Sequence, residues 1–402
     1  MESQIVSRDR IDPVRPARAR IESVDVVRGV IMILMALDHT RDYFGDLAGS
    51  PTNLATTTPA LFFTRWITHF CAPVFFLLTG TGAYLALARR GRSGLSRFLV
   101  SRGLWLIVLE LTVMRFLWQF NVDYQLTLLT VFWSLGWAMI TLAALVWLPA
   151  WGVTAFGVVL IATHNLLDGV KSAALGTLAP VVSALHVPGP LLSGDHAVFQ
   201  TYVLVPWIGV TAVGYGLGQI FTWPVAQRRN FLLRLGLACV VAFIGLRAAD
   251  VYGDPIKWSA QKSALFTLMS FINTNKYPPS LLFLLMTLGP ALLLMRAVEG
   301  RGQHVLRPAL IIGKVPFFYY VMHVVILHLA TVVASYARYG TAHWMTESPT
   351  LGQYPVTQPP GWPAPLPVIY LVWIGVVIAL YPMCRWFATL KSRRTDAWLS
   401  YL

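Results

Sequence analysis

Ser23-Val-Asp-Val-Val-Arg-Gly-Val-Ile-Met-Ile-Leu-Met-Ala-Leu-Asp-His-Thr-Arg-Asp-Tyr-Phe44 is the stretch whose reading decides the fold. Its middle is long and apolar enough to enter a bilayer. Its ends are charged: Asp25 and Arg28 near the start, then Asp38, His39, Arg41 and Asp42. An ionisable group at membrane depth costs about 3 kcal/mol unless it is paired or wetted. A span that keeps six of them is therefore read as part of a functional site.

The rest of the chain agrees with a membrane setting. Of 402 residues, 56% are hydrophobic and only 12% are charged, against about 25% charged in a soluble domain. The expected fold is all-α: a polytopic membrane bundle of about ten helices, packed as one unit. Spans are expected at 24–44, 63–88, 98–118, 127–147, 150–168, 199–221, 231–248, 279–297, 313–336 and 365–386. The organisation follows: a basic N-terminal segment over 1–22, a bundle over 23–390 and a tail over 391–402. The first twenty residues are polar and carry five arginines, so no cleavable signal peptide is read there, and the first span is expected to be its own insertion signal.

The net charge of +14 excludes little by itself, but its placement does. With a cytoplasmic N-terminus and alternating spans, 22 of the 31 Lys and Arg residues fall on cytoplasmic segments or their flanks. These include the loop over 89–102, the loop over 296–314 and the tail. This is the positive-inside pattern with both termini cytoplasmic, and an odd number of spans destroys it. It speaks for the lipid bilayer as a partner and against nucleic acid. Three outer segments are long: 169–198, 249–278 and 337–364. Within the second, Ser263 to Asn273 has near-helical apolar spacing and is expected on the outer membrane surface. Cys71, Cys239 and Cys384 have no metal-ligand spacing and read as core.

Several polar residues sit where chemistry is possible. His39 lies about fifteen residues into the first span, beyond the midplane, and His69 enters the second span from outside to a comparable depth. Two imidazoles near a wet outer cavity suit a general base and a positioning donor. Each also suits a simple interhelical hydrogen bond. Asp38 and His39 point about 100° apart, so Asp38 is expected to pair with Arg65, Lys276 or Arg115. Asp25 and Arg28 read either as an i,i+3 ion pair or as part of a phosphate grip. Glu110, mid-span, pairs with a cation or lines a cavity, with pairing favoured. Trp118, Trp137, Trp151 and Trp223 read as interfacial belts. Buried charges and histidines also suit a proton-coupled transporter, but matched halves with broken helices are absent from the pattern. A non-catalytic assembly protein is the third reading.

Four motifs carry a family resemblance. They are Ser-x-Asp-x-x-Arg-Gly followed by Met-x-x-Met-x-x-Asp-His in the first span, then Thr68-His-Phe-Cys-Ala-Pro-Val-Phe-Phe-Leu-Leu-Thr-Gly80, Lys276-Tyr-Pro-Pro-Ser280 and Val315-Pro-Phe-Phe-Tyr-Tyr-Val-Met-His323. The sequence resembles the bacterial relatives of heparan-α-glucosaminide N-acetyltransferase, a group of transmembrane acyltransferases. The resemblance implies acetyl transfer from cytosolic acetyl-CoA to a sugar or glycan acceptor across a bacterial plasma membrane, with no metal. It adds His323 to His39, His69 and Asp38 as catalytic candidates. Arg65 and Lys276 become acceptor-side candidates. Arg28, Arg97, Arg102 and Lys314 become candidates for the CoA phosphates. One departure matters: the loop Gly45 to Phe62 has no histidine where the heparan enzyme carries its catalytic one. That role then falls to His39 or His69. A homodimer is left open.

Overall fold

In the computed structural model, α1 (Glu22–Phe44) forms over the opening stretch. Glu22 and Asp25 occupy its first turn and Arg41 its last, each opposing the local end of the helix dipole. The helix buries Val26, Val27, Met32, Ala36 and Leu37 on several faces, which makes it a central strut rather than a half-exposed one. The structure describes residues 21–47, 49–169, 176–300, 306–348, 358–394, 396 and 399. The basic segment over 1–20 and much of the tail lie outside the described residues.

Of the described residues, 73% are helix and 4% strand. Among the described residues, six helices are long and apolar enough to cross a membrane: Pro59–Gln119, Ala150–Leu167, Val225–Ala249, Leu281–Val298, Pro316–Tyr339 and Leu366–Arg393. α1 itself carries the charges described above, and several others are shorter.

The second expected span is broken. α2 (Pro59–Thr68) starts with Thr58 accepting the Leu61 amide at 3.3 Å and with proline in its first turn. It stops because Pro73, having no N–H, cannot bond the His69 carbonyl one turn back. α3 (Cys71–Leu109) then continues through the expected loop over 89–102. That loop reduces to a single break at Gly91, whose φ of 65° and ψ of 171° leave the helical region. The arginines around it are good helix formers and need no loop. A π-helical turn (Glu110–Met114) and α4 (Arg115–Gln119) finish the rod.

A small sheet departs from the all-α expectation within the mostly helical bundle. β1 (Leu126–Leu129) pairs parallel with β3 (Ala197–Gln200), and β3 pairs antiparallel with β2 (Gly189–Leu192). The spans expected over 127–147 and 199–221 begin inside these strands, at 127–129 and 199–200. α5 (Val131–Leu145) and α8 (Val205–Leu217) instead begin after the strands, α8 with Pro206 in its first turn. The strands satisfy their backbone groups by pairing with one another.

α6 (Ala150–Thr163), α7 (Ala179–His186), α9 (Val225–Ala249), α10 (Ala264–Ile272), α11 (Leu281–Val298), α12 (Arg307–Lys314), α13 (Pro316–Tyr339) and α14 (Leu366–Arg393) complete the chain. α10 is helical where amphipathic spacing predicts it, capped by Ser263. α14 turns Leu371, Ile378 and Trp386 outward, the apolar face a bilayer requires.

Two glycines mark one close crossing, of α1 with α12. A Cβ on Gly29 would lie 1.8 Å from the Ala309 carbonyl, and one on Gly313 would lie 1.8 Å from the Asp25 carbonyl. α1 and α12 therefore touch backbone to backbone, and the glycine after Arg28 is explained by that contact. At the same end, Ser23 donates to Glu299, which Arg228 pairs at 2.8 Å.

Candidate functional site

A cavity of about 420 Å³ opens where α1, α2, α4, α13 and the segment before α11 converge. Asp38, His39, Arg41, Arg65, Glu110, Arg115, Trp118, Lys276, Tyr277 and Tyr320 all reach its wall. Trp344, Met345 and Glu347, from the segment after α13, add to it. His328 holds that segment through the Met345 carbonyl at 2.9 Å, and Arg115 holds it through the Ser348 hydroxyl at 2.9 Å.

One side of the cavity is an ion cluster. Arg65 Nη1 donates to both Asp38 oxygens, at 2.7 and 2.6 Å. The Thr68 hydroxyl donates to Asp38 at 2.9 Å, and Arg41 reaches Asp38 at 3.2 Å and Asp42 at 2.6 Å. Of the three partners expected for Asp38, namely Arg65, Lys276 and Arg115, Arg65 is the one that bonds it, and its neighbour His39 does not. Lys276 lies beside the cluster with its ammonium 5.1 Å from the centre of the Tyr277 ring. Burial pushes the Tyr277 phenol up, but the Lys276 and Arg65 charges more than offset that and leave it below the ordinary tyrosine range. Positive charge thus lines this wall in excess of the Asp38 carboxylate.

The other side is built on a pair of imidazoles. His39 Nδ1 lies 2.6 Å from His323 Nε2, and His323 Nδ1 lies 3.0 Å from the Tyr319 carbonyl. His323 is fully buried and His39 half-buried. Trp118 and Tyr320 stand edge-on to His39, with ring centres 4.9 and 5.9 Å away. The partner of His39 is therefore His323, on α13, which packs directly against α1 although 284 residues separate the two in sequence. The expected neighbour, His69, is buried against Phe283 at 5.4 Å and lies outside the cavity wall. The break before Pro73 turns it away from α1.

Glu110 also departs from expectation. It has no cation partner among the described residues; its Oε1 accepts the Thr130 amide at 2.6 Å and the Thr130 hydroxyl. Arg115, five residues on, turns instead to Asn121, to Asp123 at 2.8 Å and to Ser348. Trp118 is a cavity residue and not an interfacial belt, whereas Trp151 and Trp223 are exposed, as belts are.

The donor-side candidates lie away from the cavity. Arg28 pairs with Asp25 at 2.8 Å and donates to the Gly313 carbonyl at 3.1 Å, next to Lys314. Arg97 is exposed and Arg102 half-buried on the second half of α3. Among the described residues no group of three or more His, Cys, Asp or Glu is arranged to hold a metal ion.

Sequence reasoning missed Trp118, Tyr320, Tyr277 and Thr130 as wall residues. Tyr320 was legible in principle, three residues before His323 on the same helix. Trp118 and Thr130 flank the break at Phe120 and the strand after it, and Tyr277 comes from the irregular segment before α11; hydropathy registers neither feature.

Residues 20–253 match the model of a family described as heparan-alpha-glucosaminide N-acetyltransferase, catalytic. The match covers more than half of the chain, and it includes Arg28, Asp38, His39, Arg65, His69, Arg97, Arg102 and Glu110. It stops short of Lys276, Lys314 and His323. No curated protein matches the chain.

Proposed function

The chain belongs to the heparan-alpha-glucosaminide N-acetyltransferase family, and from that premise we propose that it is an integral membrane acyltransferase, moving an acetyl group from cytosolic acetyl-CoA to a sugar or glycan acceptor on the outer side. The observation that carries the reading is the relay from Tyr319 through His323 to His39. A carbonyl accepts only, so His323 Nδ1 must hold the proton. In a neutral ring that leaves His323 Nε2 as an acceptor, and His39 Nδ1 must donate to it. His39 Nε2 is then left with its lone pair, on a half-buried ring in the cavity wall. This is the tautomer that a general base needs.

In the proposed reaction, His39 Nε2 takes the proton of the acceptor O–H or N–H as that atom attacks the thioester carbonyl. The new C–O or C–N bond forms, the C–S bond breaks, and the proton passes from His39 to the leaving CoA thiolate. Arg65 and Lys276 supply positive charge for the oxyanion of the tetrahedral intermediate. Asp38 touches Arg65, Arg41 and Thr68 rather than His39, so its role is to position those cations. His323 acts through His39 and is likewise a positioning residue. His69 is a structural residue in this scheme.

Arg28, Arg97, Arg102 and Lys314 remain the residues proposed for the CoA phosphates. Arg28 precedes His39 by eleven residues, about 16 Å along α1, so the pantetheine arm would cover that length. The proposed topology has ten spans over residues 23–390 and both termini in the cytoplasm of a bacterium, on the strength of the positive-charge asymmetry.

Purified protein in detergent, given acetyl-CoA and sugar acceptors, tests the reading through release of free thiol. Acceptor-dependent release is expected. A folded protein whose thiol release never rises above the acceptor-free rate of hydrolysis by water would leave the acyltransferase reading without support.

A further inference from the structure

Glu110 is the one carboxylate of the cavity wall whose second oxygen is buried without a hydrogen-bond partner among the described residues. The residue is 3% exposed, and its Oε1 is fixed by Thr130. The Phe132 amide adds attraction without completing a hydrogen bond. A buried carboxylate oxygen left unmatched is costly, and such a group calls for a donor. The backbone under Glu110 is a π-helical turn over Glu110–Met114, an irregularity frequent at functional sites because it re-aims side chains. The rings of Trp118 and Tyr320 and the amide of Gln119 share the wall with it. Arg41, Arg65 and Lys276, by contrast, cluster on the Asp38 side, and Arg115 is turned to Asp123 and Ser348.

We infer that Glu110 positions the acceptor: its free oxygen receives a hydrogen from a hydroxyl or ammonium group of the acceptor while another group of that molecule faces His39. The inference rests on the acyltransferase reading for the identity of the ligand, but not for the existence of the site. Glu110 is a positioning residue, and it takes part in no bond making or breaking.

A structural role and this role separate at one substitution. In Glu110→Gln the amide oxygen must face the Thr130 N–H, because the amide NH₂ would meet it donor to donor. The NH₂ then replaces Oε2, so the tie to Thr130 is kept and the free acceptor becomes a donor. Binding of D-glucose and D-glucosamine is measured by calorimetry and by thermal stabilisation of the detergent-solubilised protein. Wild type binds at high-millimolar affinity or better, and Glu110→Gln weakens binding about 10–100-fold, the range for losing a hydrogen bond to a charged group. Loss for both sugars assigns a hydroxyl as the donor; loss for glucosamine alone assigns the ammonium. Sugar binding by Glu110→Gln equal to wild type, or no binding of either sugar by wild type, overturns the inference. If Glu110→Gln does not fold, Glu110→Asp withdraws the same carboxylate by one methylene and is predicted to weaken binding as well; binding equal to wild type overturns the inference there too. Thioester cleavage is followed in parallel. Sugar binding without any cleavage by wild type would contradict the acyltransferase reading and leave the Glu110 site standing.

Discussion

His323→Ala removes the acceptor that fixes the His39 tautomer, while leaving the cavity wall itself intact, since His323 is behind that wall. His39 Nδ1–H then loses its partner at 2.6 Å. An unsatisfied buried donor costs about 1–3 kcal/mol. At about 1.4 kcal/mol per decade, that predicts a loss of about 5–150-fold in kcat. The KM values for acetyl-CoA and acceptor should hold, because neither molecule is proposed to touch His323. His323→Gln offers a side-chain carbonyl to the same N–H and should recover most of the loss. The assay is thiol release under saturating substrates, with the thermal midpoint measured alongside to separate a cavity in the core from a change at the site. A His323→Ala variant that stays folded and keeps kcat within about twofold would refute the tautomer relay.

Other outcomes follow from the same geometry. Asp38→Ala strands Arg65 and Arg41 without their shared carboxylate, and should destabilise the protein by about 3–5 kcal/mol, as breaking a buried pair does, read as a fall in the unfolding midpoint in detergent. Gly313→Ala puts a methyl 1.8 Å from the Asp25 carbonyl and forces α1 from α12; a cost of at least about 1–3 kcal/mol is expected, and a neutral effect in the same melt would show that this crossing yields easily. Reporter fusions after Ser348 and Ser392 should read opposite compartments, and identical readouts would end the ten-span topology with both termini inside.

What the sequence discloses and what it hides divide along physical lines. Hydropathy located the long helices because burial in lipid demands uninterrupted apolar runs. It extended two of them over 127–129 and 199–200, because a short paired strand is as apolar as a helix. It placed a loop at 89–102 because arginines mark cytoplasmic ends, although a single glycine with positive φ makes the turn there. That Asp38 would not pair with His39 was legible because adjacent helical residues cannot share a face, whereas the choice of Arg65 over Lys276 and Arg115 needed the fold. The His39–His323 contact was not, since depth along each helix was readable but azimuth was not. His69 had matching depth and the wrong azimuth, set by the break before Pro73. For Glu110, cost alone demanded either a partner or a cavity, and only the fold shows that Thr130 takes one oxygen and leaves the other.

The central claim is that His39 is the general base. The measurement that tests it most directly is acyl transfer by His39→Ala alongside its affinity for acetyl-CoA. Transfer should fall by about 10²–10⁴-fold, the range for losing an acid–base group, while acetyl-CoA still binds, since the proposed phosphate contacts lie toward the other end of α1. A folded His39→Ala protein that transfers at the wild-type rate would contradict the account.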